Sequence, residues 1–216
     1  MSTLERRTTL EPVGLEVRAE GSKLVAVGLG IVHAKRSRDL GGFVEEVRAG
    51  AATKTLAEAD IRALVNHDVN LLLGRTGAGT LRLEERVDGV HYEIDLPDTT
   101  LGRDTAKLLE RQDYPGSSFG FRALLDEWGE TEDGRPLRTL TEVAVRDMGP
   151  VSFPAYDDST TGLTSLASQR SMDFEEVRAL AAEGNLIEAI RFVPPTQGDE
   201  SRDLPLSKPA FRRRYY

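Results

Sequence analysis

Polar and apolar residues alternate with a period of two through the middle of the chain. In the segment 80–87, leucines fall on one face and charged residues on the other, and the segment 90–96 alternates in the same way. Such alternation is typical of strands that bury one face. Between the segments, Asp88-Gly89 tolerates the positive φ angles of a tight turn. The pattern predicts a β-hairpin.

Shorter patterned segments complete the predicted secondary structure. Further strands are expected at Lys23–Val32, 42–47, 69–73, 117–125 and 137–146, and helices at 55–64, 99–112 and 174–183. Thr99 is placed to cap the second of these helices, and Ser171 or Asp173 the third. Many short strands with one apolar face and few helices predict an α+β fold. We expect a mostly antiparallel, closed or nearly closed β-barrel surrounded by a few helices.

The ends of the chain have a different character from its middle. Residues 1–22 are polar and lack a clear period, which predicts an N-terminal arm or an edge strand. Residues 23–156 form the predicted barrel domain. In residues 157–216, a Ser-, Thr- and Gly-rich linker over 157–170 precedes the short helix, and a Pro-rich, polar segment from residue 194 predicts a flexible tail.

Composition narrows the chemistry that the chain could perform. Its 216 residues include no cysteine, which excludes disulfides, thiolate metal sites and a cysteine nucleophile. The net charge of -8 opposes nonspecific binding to nucleic acid. No apolar run suits a membrane span and no signal peptide is recognisable, so we expect a protein that stays in the cytoplasm of the cell that makes it.

The chain has three histidines, and they are not equally suited to a catalytic role. His33 ends a strand before a basic loop and is expected at the surface. His91 shares a strand face with Glu93 and Asp95 that should be hydrated. His67 lies between a predicted helix and a predicted strand, where it could project into a cleft as a general base. The alternative for His67, more common for a lone histidine, is a hydrogen bond that fixes a loop.

Strand alternation separates two neighbouring serines. Ser117 shares a face with Phe119 and Phe121, which should be the core face. Ser118 lies on the opposite face with Gly120, whose missing side chain leaves room for an incoming carbonyl group. Ser118 is therefore the better nucleophile, although a small polar residue on the outer face of a strand would also be ordinary.

A serine nucleophile needs an imidazole to accept its proton, and the imidazole needs an acceptor to orient it. Glu142 is an acid among the apolar residues Leu140 and Ala144 on one strand face. A buried carboxylate is costly unless it is paired. Glu142 could orient the histidine, or it could form a salt bridge with Arg138 or Arg146; the pattern favours neither.

Two further signals are weaker. Gly74, Gly77 and Gly79 form a glycine-rich segment, but a strand follows it instead of a helix, so a hairpin turn fits better than a phosphate loop. His67 and Asp68 with another carboxylate could bind a metal ion, although no ligand pair has a typical metal-binding spacing.

An ordered run of short motifs over residues 23–156 resembles the caudovirus prohead (capsid maturation) serine proteases, which are similar in fold to herpesvirus assemblins. The motifs are Val65-Asn66-His67-Asp68, Leu72-Leu73-Gly74-Arg75, Gly79-Thr80-Leu81-Arg82-Leu83, Leu96-Pro97-Asp98-Thr99, Ser118-Phe119-Gly120-Phe121, Arg138-Thr139-Leu140-Thr141-Glu142-Val143 and Val151-Ser152-Phe153-Pro154-Ala155-Tyr156. The resemblance implies that Ser118 is the nucleophile and His67 its base. Assemblins use a second histidine as third member, but this chain has none after Ser118, which leaves Glu142 as the matching acid.

The resemblance also implies a biological role. Such proteases are packaged inside the immature prohead in the host cell cytoplasm, where they cut the scaffold or the delta region of the major capsid protein and then themselves. They need no cofactor or metal, and the dimerisation of assemblins makes a homodimer a state to test. We expect backbone amides to form the oxyanion hole, with the turn at residues 148–150 as a candidate. The main alternative is a catalytically silent scaffold or shell-binding assembly protein.

Overall fold

The computed structural model describes residues 3–8, 15–21, 23–153 and 160–193. The strands are β1 (Glu5–Thr8), β2 (Glu16–Glu20), β3 (Lys23–Val32), β4 (Val44–Val47), β5 (Arg62–Leu64), β6 (Leu72–Arg75), β7 (Leu81–Arg86), β8 (Gly89–Asp95), β9 (Gly116–Glu130) and β10 (Pro136–Val151). The helices are α1 (Thr53–Glu58), α2 (Thr100–Glu110), α3 (Thr160–Arg170), α4 (Phe174–Ala182) and α5 (Leu186–Arg191), and a single 3₁₀ turn covers Thr76–Ala78.

The strands form two sheets, which confirms the predicted α+β class. One sheet has the order β1-β9-β10-β5-β6, with β4 also paired to β10, and the other has the order β2-β3-β8-β7. The predicted β7–β8 hairpin and the strand β3 are present as expected. Closure into a barrel is not confirmed, because the ladders of the described residues divide into these two sheets. A parallel bridge between His33 and Val47 joins them at one corner.

Three predicted segments differ from the structure. The strand expected over 69–73 begins only at Leu72 and runs to Arg75, with residues 69 and 70 in a turn. The segment 55–64 was expected as one helix, but the helix ends at Glu58 and the chain continues as β5. The backbone N–H of Ile61 donates to Thr76 Oγ1 at 2.9 Å, and this tertiary hydrogen bond competes with the helical ladder. The segment 157–170 was expected as a linker, but it contains the helix α3. The helix α4 begins after Asp173 as predicted, and the Asp173 carboxylate accepts a hydrogen bond from Glu175 N at 2.9 Å.

Apolar side chains form two separate cores. The larger core lies between the sheets and includes Tyr92, Phe121 and Met148, which are fully buried. The smaller core packs α3, α4 and α5 against Phe43 and Trp128, whose rings meet edge to face with centroids 5.0 Å apart. Burial against this second core explains the helix α3, because its own sequence is only weakly amphipathic. No helix within the described ranges is long and apolar enough to span a membrane.

The described part of the predicted N-terminal arm is strand. β1 pairs antiparallel with β9 and forms one edge of its sheet, and β2 pairs with β3 at the edge of the other. The domain boundaries at residues 23 and 156 stay predictions. The predicted tail from residue 194 lies outside the described residues.

A buried group of charged side chains ties β1 to the sheet. Arg138 on β10 is fully buried and donates to Glu5 at 2.8 Å, to Glu45 at 2.9 Å and to Asp126 at 2.5 Å. Arg7 donates to the same two glutamates, at 2.8 Å to Glu5 and 2.7 Å to Glu45. Burial alone would lower the pKa of Arg138, but its hydrogen bond with Glu5 and the charges of Glu45 and Asp126 raise it. Arg138 is therefore a permanent cation within the sheet.

We expect Arg138→Met to reduce the free energy of unfolding by about 3–5 kcal/mol, because it leaves buried carboxylates without their shared partner. Urea denaturation measures the loss. The matched control is Arg48→Met, since Arg48 forms an exposed pair with Glu127 and such pairs contribute about 0–1 kcal/mol. Equal losses in the two variants would contradict a structural role for the buried group.

Candidate active site

His67 and Ser118 meet in the structure. The Nε2 atom of His67 lies 2.7 Å from Ser118 Oγ, a hydrogen-bonding distance. The other ring nitrogen, Nδ1, contacts Oδ1 of Asp147 in a hydrogen bond or ion pair. The three side chains are shielded from solvent: Ser118 is 0 % exposed, and the side chains of His67 and Asp147 are 7 % and 8 % exposed. The arrangement is a hydroxyl, an imidazole and a carboxylate in series.

Strand alternation on β9 sets the direction of Ser118. Its neighbour Ser117 faces the second sheet, where its hydroxyl lies 2.7 Å from the Tyr92 hydroxyl. Burial raises the pKa of Tyr92, so this contact joins two neutral hydroxyl groups. Ser118 consequently points away from the inter-sheet core, towards His67. The prediction that Ser117 faces the core and Ser118 the opposite side of the strand is confirmed. Ser118 is nevertheless shielded from solvent on that side.

His67 projects from a tight turn that follows β5. Asn66 and His67 both have left-handed backbone conformations, with φ angles of 53° and 58°. Asn tolerates this region better than most residues, but two in succession need external support. The end of β10 provides it: Asn66 N donates to Pro150 O at 3.0 Å, and Ser152 N donates to the Asn66 side chain at 2.8 Å. The turn is thus fastened to the strand that carries Asp147.

Asp147 reaches His67 across a glycine. It lies on β10 opposite Gly120 of β9, at an irregularity in the register that follows Val145. A Cβ atom on Gly120 would lie 2.6 Å from Oδ2 of Asp147, which is closer than side chains approach. The space at Gly120, which we expected to admit a carbonyl group, is filled by the Asp147 carboxylate.

Glu142, the acid expected from the sequence, is not at the site. Its carboxylate lies 3.8 Å from Lys54 Nζ, its side chain is 30 % exposed, and it sits between two register shifts of β10. Neither expected partner, Arg138 or Arg146, is the one observed. The structure brings together Ser118, His67 and Asp147. The sequence feature that could have indicated Asp147 is an acid at the apolar end of a predicted strand. Its face could not be predicted, because the register of β10 shifts between Val145 and Asp147.

The remaining histidines lie away from this site. His33 is buried, 7 % exposed, with Nε2 at 3.3 Å from a carboxylate oxygen of Glu85, so the expectation of a surface position is wrong. A strand end that joins both sheets explains the burial. His91 lies 2.9 Å from Asp88, whose pKa this hydrogen bond lowers, in agreement with a polar strand face.

The structure also bears on the expected metal site at His67 and Asp68 and on the expected turn at residues 148–150. Both ring nitrogens of His67 contact protein groups, and the Asp68 carboxylate accepts from Asn70 N at 2.8 Å. Within the described ranges, no group of three or more His, Asp or Glu residues could hold a metal ion. The residues 148–150, expected as a turn, lie inside β10, where Gly149 is paired with Ser118.

Residues 14–175 match the family described as caudovirus prohead serine protease. Among solved structures, the bacteriophage T4 capsid assembly protease gp21 is similar, with 13 % sequence identity and a TM-score of 0.46 over 70 % of this chain and 98 % of that chain. No curated protein matches the sequence. The family match spans well over half of the chain, and the chain therefore belongs to the caudovirus prohead serine protease family.

Proposed function

We propose that the chain is a serine endopeptidase in which Ser118 is the nucleophile, His67 the general base and Asp147 the residue that orients His67. The supporting observation is the continuous series of contacts, with 2.7 Å between Ser118 Oγ and His67 Nε2 and Asp147 bound to the opposite nitrogen. A carboxylate at Nδ1 holds the proton there, so that Nε2 is free to accept one.

The chemistry follows from these positions. Ser118 Oγ attacks the carbonyl carbon of a peptide bond while its proton passes to His67 Nε2. His67 then gives that proton to the leaving amine as the carbon–nitrogen bond breaks. Water, deprotonated by His67, hydrolyses the acyl-enzyme and restores Ser118. Asp147 stabilises the imidazolium in both steps, and its shielding from solvent strengthens that interaction.

The substrates we propose are the proteins of the immature capsid: the scaffold or the delta region of the major capsid protein, and the protease chain itself. Membership of the prohead protease family supports this role. A protease with this role would act inside the prohead, in the host cell cytoplasm. We expect self-cleavage to take place within the Pro-rich sequence after residue 193.

A catalytically silent assembly protein is the alternative. The contacts of His67 weigh against it, because a silent fold has no need to hold an imidazole between a hydroxyl and a carboxylate on a strained turn.

We expect Ser118→Ala to lower peptide hydrolysis by about 10⁴-fold or more, since it removes the nucleophile. It should also abolish labelling by a fluorophosphonate and leave the full-length mass unchanged on prolonged incubation. Ser117→Ala is the control: it removes the adjacent hydroxyl and its bond to Tyr92, so thermal stability falls but labelling persists. A chelator should have no effect on either. Equal loss of the terminal segment in wild type and Ser118→Ala would refute self-cleavage by Ser118.

Asp147→Asn should lower kcat by about 10³–10⁴-fold, because an amide cannot hold the required tautomer of His67. The comparison is Glu142→Gln, which removes the acid expected from the sequence and should leave kcat within about twofold, since its exposed pair with Lys54 is weak. The two variants therefore decide between the acids. Loss of activity in Glu142→Gln with activity retained in Asp147→Asn would reverse the assignment.

Gly120→Ala should lower kcat although it alters none of the three side chains of the proposed catalytic series. Its methyl group would occupy the position of the Asp147 carboxylate and push it from His67, so kcat should fall towards the value of Asp147→Asn. The double variant Gly120→Ala/Asp147→Asn tests the mechanism, because the two changes should not add. Additive losses would show that Gly120 acts elsewhere. The matched control is Gly129→Ala on the same strand, where a Cβ atom meets nothing within 4 Å.

A further inference from the structure

The nucleophile is covered by the chain's own N-terminal strand. β1 runs antiparallel to β9 with Thr8 opposite Ser118, and Ser118 Oγ donates to the backbone carbonyl oxygen of Arg7 at 2.8 Å. Ser118 is fully buried in this arrangement. A substrate cannot contact the hydroxyl until the strand moves.

This contact also opposes activation of the serine. The Ser118 hydroxyl has one proton, so it cannot donate to the Arg7 carbonyl and to His67 Nε2 at the same time. While it donates to Arg7, the proton transfer that starts catalysis does not occur. β1 thus holds the nucleophile in an inactive hydrogen bond.

The position of β1 is one that an extended peptide can take. β1 is the edge strand next to β9, and a peptide can add to such an edge through main-chain hydrogen bonds. The peptide bond between Arg7 and Thr8 lies beside the nucleophile, where the bond to be cut would lie. We read β1 as the occupant of the substrate groove.

The side chains of β1 define what the groove accepts. Glu5 and Arg7 point to the same side and are buried, whereas Arg6 between them is exposed. Without β1, the Arg138 Nη2 group would lose its bond to Glu5, and Glu45 Oε1 would lose its bond to Arg7 Nε. Arg138 would keep its bonds to Glu45 and Asp126, but Arg138 Nη2 and Glu45 Oε1 would lose the hydrogen bonds that they make to β1. Unsatisfied atoms of buried charged groups are costly, so an incoming strand that bonds to both is favoured.

Only one charge pattern does so. An acidic side chain is needed at the position of Glu5 for Arg138, and a basic one at the position of Arg7 for Glu45. The Arg7 guanidinium also lies over the Phe121 ring, 5.6 Å from its centroid, which favours a cation there. The pair adds no net charge to the groove.

We propose, on the basis of the function proposed above, that substrates bind along β9 in place of β1 and carry an acidic residue two positions before a basic one. Ser118 forms an ester with the carbonyl carbon of the basic residue, the carbon–nitrogen bond after it breaks, and the Ser118 proton passes through His67 to the new amine. Water then releases the carboxylate. β1 is the resident competitor for this groove.

The same spacing occurs near the end of the chain, at Glu200 and Arg202. A cut after this pair would release residues 203–216 and leave Glu200 and Arg202 on the retained chain. The spacing also occurs at six places within the folded domain: Glu16/Arg18 and Glu84/Arg86 in sheet ladders, Glu46/Arg48 at the end of β4, Asp60/Arg62 at the start of β5, Asp133/Arg135 between β9 and β10, and Glu176/Arg178 in α4. The pair at Glu200 and Arg202 instead lies in the Pro-rich sequence after residue 193. A cut after Arg202 is the specific expectation for the full-length chain.

The test uses the full-length protein and quenched fluorescent peptides with the sequence of residues 3–10. The parent peptide is compared with peptides that carry Glu5→Ala or Arg7→Ala, on the wild-type enzyme and on the enzyme variant Glu5→Ala/Arg7→Ala. The enzyme variant weakens β1 but leaves Glu45 and Arg138 in place. Its control is Glu16→Ala/Arg18→Ala, which removes an exposed pair of the same spacing from β2.

We expect the β1 variant to raise kcat/KM on the parent peptide by at least about tenfold over wild type, and the control variant to leave it unchanged. Each alanine peptide should be cleaved about 100-fold more slowly than the parent by either enzyme. Cleavage of the parent should follow Arg7, as mass spectrometry of the products shows. If the β1 variant does not fold, the peptide preference of the wild-type enzyme still decides.

Equal cleavage of the three peptides, or cleavage at another bond, with Ser118 still labelled by a fluorophosphonate, would overturn this inference and leave the proposed function intact. Failure of every variant to cleave any peptide or casein, with Ser118 unlabelled, would instead refute the proposed function, and the inference with it.

Discussion

The candidate site depends on the close approach of three backbone segments, which glycine makes possible at two points. A Cβ atom on Gly149 of β10 would lie 2.2 Å from the Leu64 carbonyl oxygen of β5, so only glycine lets these strands pair here. On the other side of β10, Gly120 of β9 admits the Asp147 carboxylate. β10 therefore positions both of its neighbours, β9 and β5. It carries Asp147, and it fixes the distance from Ser118 on β9 to the turn after β5 that carries His67. A small shift of either strand would break the contacts of His67.

The buried charged side chains lie on β1, β4, β9 and β10, next to the candidate site. Replacing buried ion pairs with apolar side chains is often neutral or stabilising, so Arg138 and its carboxylates are poorly explained as a means to stability alone. Their arrangement is specific, however, because each of Glu5 and Arg7 bonds to a group that belongs to the rest of the sheet. An apolar groove would hold many strands equally well. A charged groove distinguishes among them, which is a property that a protease needs at its substrate site.

Much of the fold could be predicted from the sequence, as could two of the three residues whose side chains meet at the candidate site. The strand β3 was predicted with the bounds that the structure has. Period-two alternation predicted the β7–β8 hairpin, because both of its strands alternate between buried and less buried positions. The same argument selected Ser118 over Ser117, while the family motifs supported His67. The acid was missed because β10 shifts its register between Leu140 and Asp147, and each shift changes the face on which later residues lie. The helix α3 was missed because tertiary burial, rather than its own periodicity, stabilises it.

The position of β1 creates a competition whose outcome depends on local stability. A substrate can bind only to the fraction of molecules in which β1 has left β9, so the apparent dissociation constant rises in inverse proportion to that fraction. Each 1.4 kcal/mol that β1 contributes to its own docking therefore weakens substrate binding about tenfold. A high local concentration of capsid proteins inside a shell would offset this penalty, whereas dilute protein in solution would not. The same buried bonds that complete the sheet would thus keep the protease inactive until it is enclosed with its substrates.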